Sequence, residues 1–163
     1  MSHICYISIG TNLGNRIFNV YVALAELERC VKVLDISSFY ESDAWGYHDE
    51  KRYINLAVKI STTLSPLLLL SKLKSIEFDM GRPINKNSFY DARIIDLDII
   101  FFNNSILNHI DLNIPHPKLY DRKFVLVPIS ELNPSIVCPK THKNISELLE
   151  DLEDESYFDI YTQ

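Results

Sequence analysis

No apolar run in this chain approaches the roughly 20 residues that a membrane-spanning helix needs, and residues 1–10 lack the basic-then-apolar layout of a secretory signal. A cytoplasmic protein without membrane association is expected. Cysteine is scarce too: Cys5, Cys30 and Cys138 form no CxxC pair, and their odd number argues against a disulfide framework. They read as small buried apolar residues. Net positive charge is missing, since the 163 residues carry −6, which opposes unspecific adhesion to nucleic acid or anionic lipid. Any charge that grips phosphate must therefore be local. A GxxxxGK[ST] loop is also absent, because residues 10–15 contain no lysine; this excludes a P-loop NTPase and, with it, the kinases built on a GxGxxG loop.

What is present is ordinary for a globular chain, with 47% hydrophobic and 23% charged residues. The length suits one domain over residues 1–163. Residues 4–9 form a β-rich apolar run closed by the turn formers Gly10-Thr11-Asn12-Leu13-Gly14-Asn15. From Ile17 the apolar positions Val20, Leu24, Leu27 and Val31 recur at helical spacing. Residues 33–40 and 53–62 read as strands, separated by a polar, aromatic-containing loop over 41–52. Ser65-Pro66 is an N-cap followed by proline at the first helical position, and Leu69, Leu73, Ile76 and Met80 carry that helix to Gly81. A strongly apolar strand covers 94–102, a short strand lies near Ile106 and Leu107, and helices are expected near 124–132 and 145–152. The order strand, helix, strand, strand, helix, strand is that of the α+β, ferredoxin-like split βαβ arrangement, an antiparallel sheet with helices packed on it.

Two acids interrupt the apolar strand. In Ile94-Ile95-Asp96-Leu97-Asp98-Ile99-Ile100-Phe101-Phe102, alternation puts Asp96 and Asp98 on one face and Ile95, Leu97, Ile99 and Phe101 on the other. Carboxylates about 6–7 Å apart on one face repel each other and call for a cation between them. Mg²⁺, which binds through one or two carboxylates together with substrate phosphates, fits the pair. The plainer alternative is a solvated face on which the acids pair with Arg82 or Arg93. Against it stands the cationic set around the strand: Arg82, Lys86 and Arg93 before it, then His116, Lys118, Arg122 and Lys123 after it. Carboxylates to hold metal and guanidinium groups to hold phosphate are what phosphoryl transfer requires.

Arg93-Ile94-Ile95-Asp96-Leu97-Asp98-Ile99 resembles the R-x-x-D-L-D-I signature of the 6-hydroxymethyl-7,8-dihydropterin pyrophosphokinase family. In the same order, Gly10 to Asn15 resembles that family's G-[ST]-N-x-G-[ND] loop, and Ser37-Ser38-Phe39-Tyr40-Glu41-Ser42 its S-x-x-Y-x-[ST] strand end. Tyr53-Ile54-Asn55-Leu56-Ala57 resembles its [YF]-x-N-x-[AV] strand, and Pro115-His116-Pro117 with Arg122 to Pro128 its P-H-P…R-x-F-V-L-x-P segment. The resemblance implies a folate-biosynthetic enzyme that moves pyrophosphate from the co-substrate ATP to the pterin, releasing AMP. Asp96 and Asp98 would hold two Mg²⁺ ions. Arg82, Arg93, His116, Arg122 and Glu77 would face ATP, with Arg82 and Arg93 acting in catalysis beside the aspartates. The pterin would stack between Tyr53 and Phe124, read by Asn55 and enclosed by Ser42, Asp43 and Trp45. Both substrates are small molecules, and a monomer is expected. The chain departs from the family at Asp91, where a small residue is usual, and after Arg82, where Pro83-Ile84 replaces a second arginine and Lys86 is the nearest substitute. From the residues alone, a metal-dependent phosphohydrolase and a non-catalytic ligand sensor remain open.

Overall fold

The computed structural model describes residues 1–81 and 93–162. Its elements run β1 (His3–Thr11), α1 (Arg16–Glu28), β2 (Lys32–Ile36), β3 (Tyr40–Ser42), β4 (Tyr53–Thr62), α2 (Pro66–Asp79), β5 (Asp96–Phe102), β6 (Leu107–Asn108), β7 (Asn113–Ile114), α3 (Lys123–Leu132), α4 (Ile145–Glu150) and β8 (Phe158–Ile160). The main sheet has the order β5-β1-β4-β3-β8, with β2 also paired to β4, and every neighbouring pair is antiparallel. Strands β5, β1, β4 and β2 with helices α1 and α2 form the expected split βαβ core. None of the described helices is long and apolar enough to cross a membrane.

Local chemistry explains the helix boundaries. Asn15 caps α1 by accepting from the Phe18 amide, after Gly14 has turned the chain at a φ of 65°. Ser65 caps α2 by accepting from Leu68, and Pro66 takes the position where no amide is required. Asn144 and Glu147 form a reciprocal capping box on α4.

The sheet carries apolar packing on both faces. Ile7, Ile9, Leu56, Val58, Leu97 and Ile99 meet α1 and α2 on the first. On the second, Tyr6, Ala57, Ile100 and Phe101 meet Val125, Leu126, Ile129 and Leu148 of α3 and α4. That second cluster covers only part of its face. Beyond Ala57 and Ile100 the same face continues into Ser8, Gly10, Asn55, Asp96 and Asp98.

Three sequence expectations are corrected. Cys30 is exposed, unlike buried Cys5 and Cys138, because it lies in the turn after α1. Residues 33–40 are not one strand: β2 and β3 both pair with β4, and the chain bends between them at Ser37, whose Oγ accepts the Ala57 amide at 2.9 Å. Phe101 does not share a face with Leu97 and Ile99, because the pairing passes from Ile7–Ile99 to Tyr6–Phe101 and leaves Ile100 as an extra residue. That bulge reverses the alternation, so Phe102 joins the first face and Phe101 the second.

Candidate active site

Register assembles the site. Gly10 pairs with Asp96 of β5 on one side and with Asn55 of β4 on the other, and Ser8 pairs with Asp98 and Ala57 one row deeper. Asp96, Gly10 and Asn55 thus lie in one row across three strands, the outer two residues roughly 10 Å apart. A Cβ on Gly10 would stand 3.3 Å from Asn55 Oδ1 and 3.7 Å from Tyr53 Cδ1, so glycine leaves the floor open between an acidic and an amide subsite.

The acidic end is partly recessed, with 29% of the Asp96 and 28% of the Asp98 side chain exposed. Arg93 Nη1 lies 3.2 Å from Asp96, Arg122 Nη1 3.8 Å from Asp98, and His116 Nε2 3.9 Å from Asp98. The two acids therefore face cations rather than open water. Desolvation and the neighbouring Asp96 charge push the Asp98 carboxyl up to about 7, against the opposite pull of Arg122 and Lys74. A hard cation between the acids would relieve both causes, so the donor set fits Mg²⁺ completed by phosphate oxygens. Among the described residues there is no group of three or more side chains able to form a metal cage without substrate.

His116 owes its place to the bulge, since its amide donates to the Ile100 carbonyl at 3.1 Å. Burial and Arg122 lower its pKa to about 4, so the imidazole is neutral near pH 7. Nδ1 accepts the Lys118 amide at 3.2 Å, which assigns the ring proton to Nε2, on the side of Asp98. Arg122 occupies the N-cap position of α3 without a side-chain cap bond, its guanidinium 4.8 Å from the Trp45 ring and 5.6 Å from that of Phe124. Its buried Nε has no hydrogen-bond partner among the described residues.

At the amide end, Asn55 is 2% exposed and donates to Ser42 Oγ at 2.8 Å. Tyr53 lies beside it, its hydroxyl 2.7 Å from that of Tyr47, and burial with this contact raises the phenol's pKa. Phe124 stands half-buried on the first turn of α3. Asp43 and Trp45 belong to the connection over 43–52, which reaches the site through the contact of Trp45 with Arg122. Asp43 itself is engaged with Arg52 and Tyr157.

Glu77, expected to face ATP, is 2% exposed; one oxygen accepts the Leu97 amide at 2.8 Å and the other meets Lys74 Nζ at 2.9 Å. It therefore pins the free edge of β5 between the two aspartates. Arg82, Lys86 and Asp91 lie outside the described residues. Sequence reasoning passed over Gly10 as a site residue and missed Asn12, whose Oδ1 accepts the Arg93 amide at 2.7 Å and whose Nδ2 donates to Asp49 at 3.0 Å. The signal lay in the motif Gly10-Thr11-Asn12, read there as a turn and as part of a family-like loop without a role for its residues.

Comparison with known proteins points to one family. Residues 6–134 match the family model "7,8-dihydro-6-hydroxymethylpterin-pyrophosphokinase (HPPK)". The chain is 39% identical to the 2-amino-4-hydroxy-6-hydroxymethyldihydropteridine pyrophosphokinase of Bacillus subtilis, over 81% of this chain and 79% of that one. Identity to the Aquifex aeolicus protein of the same name is 34%, over 87% and 88%. With the folic acid synthesis protein FOL1 of Dictyostelium discoideum it shares 38% over 86% of its length, and spans about a fifth of that longer relative. The fold matches a solved Plasmodium falciparum HPPK-DHPS structure with a TM-score of 0.75 at 17% identity, covering 92% of this chain and 44% of that one. The chain belongs to the 7,8-dihydro-6-hydroxymethylpterin pyrophosphokinase family.

Proposed function

We propose that this chain transfers pyrophosphate from ATP to 6-hydroxymethyl-7,8-dihydropterin in folate biosynthesis, releasing AMP and the pterin diphosphate. The observation that carries the reading is the Asp96–Gly10–Asn55 row, which sets a phosphate-and-metal subsite beside an amide that can read a heterocycle edge. The hydroxymethyl oxygen attacks the β-phosphorus in line. The bond from that phosphorus to the oxygen of the departing AMP breaks, and the hydroxyl proton passes to solvent. Two Mg²⁺ ions held by Asp96 and Asp98 would neutralise triphosphate charge and align the reacting oxygens.

The chain's own residues supply orientation and electrostatics. Arg93 and Arg122 face the aspartates from either side, and the unpaired Arg122 Nε suits a phosphate oxygen. Neutral His116 offers an N–H rather than a charge. Arg82 is assigned to the triphosphate with them. Asn55, held by Ser42, donates and accepts toward the pterin amide edge, while Tyr53 and Phe124 stack its faces. Asp43 and Trp45 close the pocket from the 43–52 connection. Glu77 contributes to the nucleotide side indirectly, by fixing Leu97 between the two aspartates. The enzyme so proposed is a monomer that works in the cytoplasm.

Incubation of the protein with ATP, Mg²⁺ and the hydroxymethyl-dihydropterin tests the reading by following AMP. AMP should appear only when the pterin is present. Release without pterin means a phosphohydrolase, and binding without release means a sensor. Asp96→Ala and Asp98→Ala should each lower kcat by about 10³-fold or more with circular dichroism unchanged; undiminished turnover in both refutes the metal assignment.

A further inference from the structure

The family match ends at residue 134, yet the segment near the end of the chain returns to the site. Strand β8 pairs with β3 through Tyr40–Ile160, Glu41–Asp159 and Ser42–Phe158. It thereby covers a three-residue strand that would otherwise be a sheet edge, and β3 carries the Ser42 that holds Asn55. The Phe158 ring stacks on Tyr40 at 4.9 Å.

Tyr157, just before β8, touches both ends of the 43–52 connection. The Asp43 amide donates to the Tyr157 carbonyl at 3.1 Å, and the Tyr157 amide donates back to Asp43 Oδ2 at 3.2 Å. At the other end, the Arg52 guanidinium lies 3.5 Å above the Tyr157 ring and donates through Nε to Asp43 Oδ1 at 3.2 Å. Arg16 adds a second tie, with bonds to the Arg52 carbonyl at 2.8 Å and to Glu41 at 2.7 Å. The connection between those ends bears Trp45, which lies against Arg122, and Tyr47, which meets Tyr53. A shift at the clamped ends therefore moves side chains that line the pterin pocket.

We propose that Tyr157 is a positioning residue for the pterin subsite, acting through Asp43 and Arg52 to hold the 43–52 connection at its binding height. The role rests on the functional reading above and deepens it. It adds a contact from outside the family match to the control of substrate binding. The clamp bears first on the pterin, because Asp43 and Arg52 adjoin β3 and β4 at the amide end of the sheet row, where Ser42 holds Asn55; ATP is touched more remotely, through Trp45 on Arg122 and Asp49 on Asn12.

Steady-state kinetics and acrylamide quenching of Trp45, the sole tryptophan, test this together. Tyr157→Ala should raise the pterin KM about tenfold and leave the ATP KM within about twofold, the scale expected for loss of one cation–π contact and a strained hydrogen-bond pair. Trp45 should become more quenchable. Tyr157→Phe, which keeps ring and backbone, should match the wild type in both measurements, and Arg52→Met should reproduce Tyr157→Ala. Wild-type quenching in Tyr157→Ala, or equal rises in both KM values, overturns the proposal. If the wild type formed no AMP, the functional reading would fall, while the quenching comparison would still decide the clamp.

Discussion

Gly10 shows how much one missing side chain accomplishes. Its backbone is not in the left-handed region, unlike Gly14, Gly46 and Gly81, so the residue serves space rather than conformation. An added methyl would press to 3.3 Å on Asn55 Oδ1, and Asn55 cannot retreat because Ser42 holds its amide. Gly10→Ala should therefore raise the pterin KM by about tenfold or more, the scale of a sub-ångström misplacement in a positioned site. The ATP KM should stay within about twofold. An unchanged pterin KM would mean that the ligand does not reach this floor.

At the scale of elements, β5 carries the reaction's acids on an edge strand. Its inner side is bonded to β1, and on the outer side Glu77 receives the Leu97 amide while the Ile100 carbonyl receives His116. Replacing Glu77 by leucine leaves a buried amide without an acceptor, a loss of about 1–3 kcal/mol, or roughly 3–10 °C in Tm for a chain of this size. Glutamine retains an oxygen for Leu97 and weakens the pair with Lys74, whose own side chain is half-exposed. Glu77→Gln should thus melt within about 2 °C of the wild type and keep its ATP KM. A large rise in that KM with normal melting would instead place the carboxylate on the nucleotide.

Much of this element layer could be read in advance. Helical spacing and the Ser65-Pro66 cap locate α2, and period-two alternation puts Asp96 and Asp98 on one face, as found. The misreadings have local causes. A bulge leaves no trace in an apolar run, so the faces of Phe101 and Phe102 were interchangeable on the page. The bend at Ser37 depends on a side-chain hydroxyl taking a ladder amide. Strand β8 is three residues whose pairing is set by β3, a partner more than a hundred residues earlier, and Glu77's acceptor role depends on a strand edge that only the assembled sheet defines.

For the whole molecule, the fold bears a cost at its centre. Helices α3 and α4 close one part of the second sheet face and leave the rest to acids and cations, so Asp98 sits where its charged form is disfavoured. Its folded-state pKa is raised from 3.8 to about 7; between those values the folded chain holds a proton that the unfolded chain has lost, and stability falls as pH rises. His116 acts in the opposite sense. Its pKa is lowered from 6.5 to about 4, so the unfolded chain binds the extra proton between those values and stability rises with pH. The two nearly offset each other in the wild type. Asp98→Asn removes the destabilising partner and leaves the His116 gain. In EDTA, its Tm should exceed the wild-type value by a margin that widens from pH 4 to pH 7, reaching about 3–6 °C for about 1–2 kcal/mol after allowance for partial solvent exposure. With Mg²⁺ and a non-hydrolysable ATP analogue at 100 times their dissociation constant, the wild type gains about 2.7 kcal/mol and overtakes the variant. A melting margin that stays flat with pH, or persists in saturating Mg²⁺ and nucleotide, would show that Asp98 is not the group strained by folding.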